Sequence, residues 1–414
     1  MNLIRNIITF IFFIIVLYCI GYICILYQDA FTNLSLDAKI NIFKNPKIMY
    51  LLTPLLFWIA SRSFLFKNAN GPLNSNIHNL FKNSDFPNYF KSLFPFTSIL
   101  AIIASSLIAV YAGGALGPET PMIYISMLLL LYAHYIFKTV FKTIASEVNF
   151  ESLLYLGYVF AITIIFNSPL ASFILSIEKS LREGSSNLIS NVIYCLFGIF
   201  IAYTMVNGTK NGVLFQEKPI EFAYHVTDTI QYLFLAMICG IIASILMKTM
   251  TLLFYSMQTL ASKSAVLLNI IPILFGFCVA ALINYSDSPT KIVGSGIKLV
   301  NCELNDTCTY DFHVLFQFLS NVILTFISGC SGGQKFVFMS IGGGIGSLYD
   351  NFTSVPHIQS IIIGITSFFS TIFGNPISSA LIILKTTNLS YESLPMLIAA
   401  SFASYYTFNY INLR

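Results

Sequence analysis

Gly113-Gly-Ala-Leu-Gly-Pro-Glu-Thr-Pro121 is the stretch that decides this chain's fold, and Glu119 is its single charge. No other Asp, Glu, Lys or Arg lies between Ser92 and Phe137, in a run otherwise apolar enough for lipid. A carboxylate there costs roughly 2.5 kcal/mol or more at a helix centre, so it should face protein interior or a water-filled path. Glycines on one side and prolines within and after the stretch predict that one helix breaks here and another begins. Pro118 suits the first turn of the new helix, where its missing N–H is no loss. Free N–H groups at such a start make an anion site. An acidic side chain placed there either competes with the anion or is protonated while the anion binds, which is how a gate behaves.

Composition sets the class. The chain has 414 residues, 56% hydrophobic, 15% aromatic and 9% charged, with a mean hydropathy of +0.79. Soluble domains carry about 25% charged residues, so these values describe a polytopic membrane protein. The net charge of +4 is scattered without a basic run, which argues against nucleic acid as a partner. Met1 to Tyr27 holds Arg5 and then an apolar run with no small-residue cleavage site, and reads as a first membrane helix rather than a leader. The isolated histidines and the eight cysteines form no metal pattern, so no metal or cofactor is expected. Cys302 and Cys308 flank a polar loop and would pair if that loop meets an oxidising compartment.

Apolar segments recur from residue 6 to residue 408, and several are shorter than the ~20 helical residues that cross a hydrocarbon core. Short spans interrupted by Gly, Pro and Asn point to discontinuous helices, whose exposed backbone survives at membrane depth only under protein cover or along a cavity. The chain also echoes itself. Phe166-Asn-Ser-Pro-Leu-Ala-Ser and Phe373-Gly-Asn-Pro-Ile-Ser-Ser each place Pro three residues after Phe, then an apolar helix ending on a charge. The two lie half the chain length apart, which predicts two inverted halves, about 3–206 and 225–410, joined by a linker at 207–224.

Further breaks stand at Asn68-Ala-Asn-Gly-Pro72, Gly294-Ser-Gly296 and Ser328-Gly-Cys-Ser-Gly-Gly-Gln-Lys-Phe336. Gly117-Pro118-Glu119-Thr120-Pro121 resembles the G-x-E-G-P signature of the CLC family of chloride channels and chloride/proton antiporters, with Thr for the second Gly. Asn68 to Pro72 sits where that family has G-S-G-I-P, and Gly333 to Val337 where it has G-x-F-x-P. Asn167-Ser-Pro-Leu-Ala with Glu178 matches N-A-P-L-A-G … E-E, and Leu394-Pro-Met396 a segment near the family's carboxy end. The resemblance covers about 35–410. It implies an all-α polytopic fold of the CLC type, a homodimer with one path per subunit, and Glu119 as gate and outer proton acceptor. It places the anion against Ala69, Asn70, Gly71, Gly117, Pro118, Gln334, Lys335 and Phe336.

The sequence departs from that family in four places. Lys179 follows Glu178 where antiporters carry a second glutamate at the inner proton-path position. Lys335 replaces the aromatic of the third break and is the only Asp, Glu, Lys or Arg between Val314 and Tyr349; it either attends the anion and Glu119 or snorkels to a vestibule. Ala69 lacks the serine hydroxyl. No residue clearly fills the place of the family's late tyrosine, for which Tyr405, Tyr406 and Tyr410 compete, Tyr410 being the one selected. The expected function is passage of chloride or a similar small inorganic anion across a lipid bilayer, the cell membrane (the inner membrane if bacterial). A chloride/proton antiporter with an altered inner site is the alternative. An integral-membrane transferase is the alternative of another class, and the dispersed charges speak against it.

Overall fold

The computed structural model describes residues 2–41, 43–62, 96–141, 149–185, 187–207, 226–286, 289–305 and 311–412. Its regular elements, among the described residues, are helices. In chain order they are α1 (Asn2–Asn41), α2 (Pro46–Arg62), α3 (Phe96–Tyr111), α4 (Glu119–Val140), α5 (Phe150–Phe166), α6 (Pro169–Arg182), α7 (Leu188–Val206), α8 (Val226–Ser262), α9 (Ala265–Tyr285), α10 (Ile297–Leu304), α11 (Phe312–Ile327), α12 (Lys335–Asp350), α13 (His357–Phe373), α14 (Pro376–Thr386) and α15 (Leu394–Asn412). Five of the described helices are long and apolar enough to cross a membrane, while α3, α5, α11, α13 and α14 are apolar but shorter. Short helices that stop inside the molecule are the discontinuous helices expected from the Gly, Pro and Asn breaks.

Local chemistry sets the ends. The Asn149 side chain accepts from Glu151 N–H at 3.0 Å and starts α5, and Asp311 accepts from Val314 N–H at 2.8 Å to start α11. Such caps answer donors that a helix start leaves unpaired. The repeated motif takes the same form twice. α5 ends on Asn167 with φ 45°, α13 ends on Gly374 with φ 73°, and a Pro-led helix follows each. The two copies touch. Glu178 on α6 accepts from the Ile377 and Ser378 amides at 3.0 and 2.9 Å, and from the Ser378 hydroxyl. Arg182 donates to Gly374 O at 2.6 Å.

The core is widest around α4, α5, α12 and α13, where side chains on all faces are buried. A helix apolar all round belongs inside a bundle. α12 and α13 approach closely because Gly342 and Gly346 face Gly364 and Ser360, where an added Cβ would meet backbone. Helix association in lipid rests on such small-residue contact. Two details differ from expectation. α4 begins at Glu119 with Pro118 as N-cap (φ −79°) rather than inside the first turn. The segment after Gly296 forms α10, an eight-residue helix whose Lys298, Asn301 and Glu303 hide it from an apolar scan.

Candidate anion site

The starts of α4 and α12 are held together by main chain. Gly117 N–H donates to Gly333 O at 2.8 Å and Gly333 N–H to Gly117 O at 2.7 Å, an antiparallel bridge between the two broken segments. Both residues must be small, because a Cβ at either would collide with the Glu119 carboxyl. Glu119 Oε1 accepts from Phe336 N–H at 3.0 Å, with the Lys335 amide and its own amide turned to the same group. The side chain is fully buried, and Oε2 has no hydrogen-bond donor. The acid of one helix start thus fills the amide cradle of another, with one oxygen bound and the other bare.

A buried network fixes that meeting point. Asn321 Nδ2 on α11 donates to Gly113 O at 3.0 Å and Ile292 O at 2.7 Å. Thr325 Oγ1 donates to Asn321 Oδ1 and accepts from Ala115 N–H, each at 3.1 Å. Ser331 N–H donates to Ser105 Oγ at 3.2 Å, and Ser105 Oγ donates to Ala60 O at 2.8 Å. Irregular backbone in a membrane protein needs its polar groups answered in this way.

Two buried lysines share one aromatic ring. Lys335 is buried, with Nζ 5.6 Å from the Tyr158 ring centre and 5.3 Å from that of Phe373. Lys179 Nζ lies 4.7 Å from the same Tyr158 ring and 3.4 Å from Glu183 Oε1. Lys335 interacts electrostatically with both Glu119 and Lys179. The Tyr158 and Phe373 faces hold the Lys335 ammonium, while Lys179 is held both by Tyr158 and by its ion pair with Glu183.

The structure brings Glu119, Gly117, Pro118, Gln334, Lys335 and Phe336 together at one place. It parts Glu178 from Lys179: Lys179 turns toward Tyr158, whereas the Glu178 carboxylate is taken up by the α14 amides. Tyr410, near the end of α15, is 59% exposed, while the buried face of that helix carries Ser401 and Ser404. An aromatic at a membrane boundary commonly faces outward in this way. Ala69, Asn70 and Gly71 lie outside the described residues. Cys302 is disulfide-bonded, and Cys308 lies outside the described residues. Tyr158 and Phe373 were not legible as site residues. No group of three or more His, Cys, Asp or Glu that could hold a metal occurs among the described residues.

Known structures share the fold. The chain resembles the structures of a slow cyanobacterial Cl−/H+ antiporter (18% identity, TM-score 0.77, covering 97% of this chain and 94% of that one) and a CLC-type fluoride/proton antiporter (13%, TM-score 0.74, 97% and 95%). It also resembles a eukaryotic CLC transporter (15%, TM-score 0.76, 99% and 73%). No curated protein sequence matches. The family model for voltage gated chloride channels matches residues 55–409. With most of its length under that model and the fold of CLC transporters, the chain belongs to the voltage-gated chloride channel family.

Proposed function

We propose that the protein moves chloride or a similar small inorganic anion across the cell membrane, with Glu119 as the gate. The observation that carries this reading is the Glu119 carboxylate on the Phe336 amide at 3.0 Å. Main-chain donors at a helix start bind an anion without a full opposite charge, so the ion can also leave. The ionised carboxylate occupies that cradle and excludes a permeant ion. Protonation at the bare Oε2 cancels its charge, and the side chain yields to the anion. Flux therefore rises as pH falls. In liposomes containing the purified protein, Glu119→Gln should conduct anions at neutral pH without pH dependence. Equal pH sensitivity in wild type and Glu119→Gln would end the gate assignment.

A second reading, anion/proton antiport, has the support of the two solved structures whose titles name proton antiporters. Lys179, at the inner proton position of the resemblance, favours passive or weakly coupled movement. Proton uptake driven by an anion gradient separates the two. The halves at about 3–206 and 225–410 are read as an inverted repeat that brings α4 and α12 to one site. Two such subunits would pair through 169–206 and 376–408, each with its own path.

A further inference from the structure

A cavity of about 240 Å³ lies against the Glu119 pocket, sharing Pro118 and Phe336 with it. Its remaining wall comes from α1 and from residues 290–301, and it includes Lys291, Lys298 and Ser295. Neither lysine has an ion-pair partner among the described residues. The loop that carries them is built into the gate region. Gly294 N–H donates to Gly114 O at 3.2 Å, and Asn321 joins Ile292 O to Gly113 O. Ser340 Oγ bonds Ser295 O at 3.2 Å and Phe336 O at 3.0 Å, which pins the start of α10 onto the first turn of α12.

We infer that this cavity is an antechamber that holds a small inorganic anion next to the gate, with Lys291 and Lys298 supplying the charge that recruits it. The inference rests on the anion-transport reading above. A concave site lined by one sign of charge raises the local concentration of its counter-ion by about 10-fold or more. Neither lysine touches the carboxylate, so the pair recruits an anion without competing for Glu119. The Gly294–Gly114 main-chain bond and the Asn321 and Ser340 side-chain bridges to Gly113 and Phe336 keep the antechamber and the cradle in fixed register, so an ion that enters one stands beside the other.

The test is the initial rate of flux against chloride concentration on the α10 side of oriented proteoliposomes. A Lys291→Gln, Lys298→Gln double variant should raise the half-saturating chloride at least fivefold, leave the maximal rate unchanged, and lose the wild-type dependence on ionic strength. Lys291→Arg, Lys298→Arg should keep wild-type affinity, which separates charge from folding. Unchanged half-saturation in the Gln variant overturns the inference, as does equal loss in the Arg and Gln variants. Vesicles of phosphatidylcholine alone and with phosphatidylglycerol form the second arm. If anionic lipid weakens chloride affinity in wild type but not in the Gln variant, the lysines hold a lipid phosphate and the antechamber is overturned. The Glu119→Gln pH profile reads the gate independently, so either assignment can fail alone.

Discussion

Glu119 and Lys335 sit in one buried cluster, yet no ion pair within 4.0 Å joins them among the described residues. The carboxylate takes the amide of the next residue, Phe336, and the ammonium lies over Tyr158 and Phe373. The difference matters for a gate. A contact pair at 4 Å is worth about 4 kcal/mol even at an effective dielectric of 20, and such a pair would hold the acid shut. Partial charges on amides bind it more weakly, while Lys335 adds a field that favours any anion arriving in its place.

Lys335→Met should therefore weaken anion binding more than it opens the gate. Charge attraction across about 5 Å at an effective dielectric of 20 is roughly 3 kcal/mol before the anion's own desolvation. The expected outcome is a half-saturating anion concentration raised about tenfold, near 1.4 kcal/mol, with the pH dependence retained. Concentration-dependent flux across pH checks both parts. Unchanged affinity would return Lys335 to a packing role.

Gly333→Ala offers a way to move the gate without removing its acid. Gly333 is not among the residues with positive φ, so alanine fits the backbone, but its Cβ would occupy the space of the Glu119 carboxyl. The side chain must leave the Phe336 amide. We expect an anion leak at neutral pH that approaches that of Glu119→Gln, with at least a threefold flatter pH profile. Gly333→Ala with wild-type flux at every pH would show that the carboxyl tolerates displacement within the cradle.

These two residues also show what the sequence could reveal. Glu119 and Lys335 are each the sole charge in a long apolar run, and membrane burial makes a lone charge conspicuous. The breaks before them are announced by Gly and Pro, whose backbone limits are local. The partners are not local. Tyr158 is one of 23 tyrosines, and only the packing of α5 against α6 and α12 puts its ring beside two lysines. The partners of Glu178 at the start of α14 lie in the other half of the chain, and the buried face of α15 is lined by Ala400, Ser401 and Ser404 rather than by its aromatics.

Asn321→Ala should destabilise the protein without touching the ion. Its side chain answers the Gly113 and Ile292 carbonyls, both inside the fold. A buried acceptor left unpaired costs about 1–3 kcal/mol, so about 2–6 kcal/mol is expected for the two together. Thermal unfolding of the purified protein should show a clear fall in midpoint. Since Asn321 holds the 290–297 loop to the Gly113 break, surviving protein should also lose affinity on the α10 side.

Glu178→Gln should act on stability and leave coupling alone. The carboxylate accepts from two amides and one hydroxyl at the start of α14, and an amide side chain answers only part of that set. A loss of about 1–2 kcal/mol in unfolding free energy fits the range of helix caps. Flux per folded protein and its pH profile should match wild type. A changed pH profile would place Glu178 on the proton route instead of at a helix end.

Lys179 shares the Tyr158 ring with Lys335, and its removal should be felt from one side. Its ammonium also pairs with Glu183 at 3.4 Å, while Arg182 lies 3.8 Å from the same carboxylate. In Lys179→Met, Glu183 keeps Arg182 as a counter-charge, so the buried acid is not abandoned, and the fold should survive with a loss of about 1–2 kcal/mol, below the 3–5 of a broken buried pair. The positive field behind Lys335 falls, so anion entry from the face opposite α10 should slow by about threefold or more. Half-saturation on the α10 side should hold, because Lys291 and Lys298 remain. Flux measured in both directions through oriented vesicles decides the matter: a symmetric loss would mean that Lys179 acts on the shared cradle rather than on one approach to it.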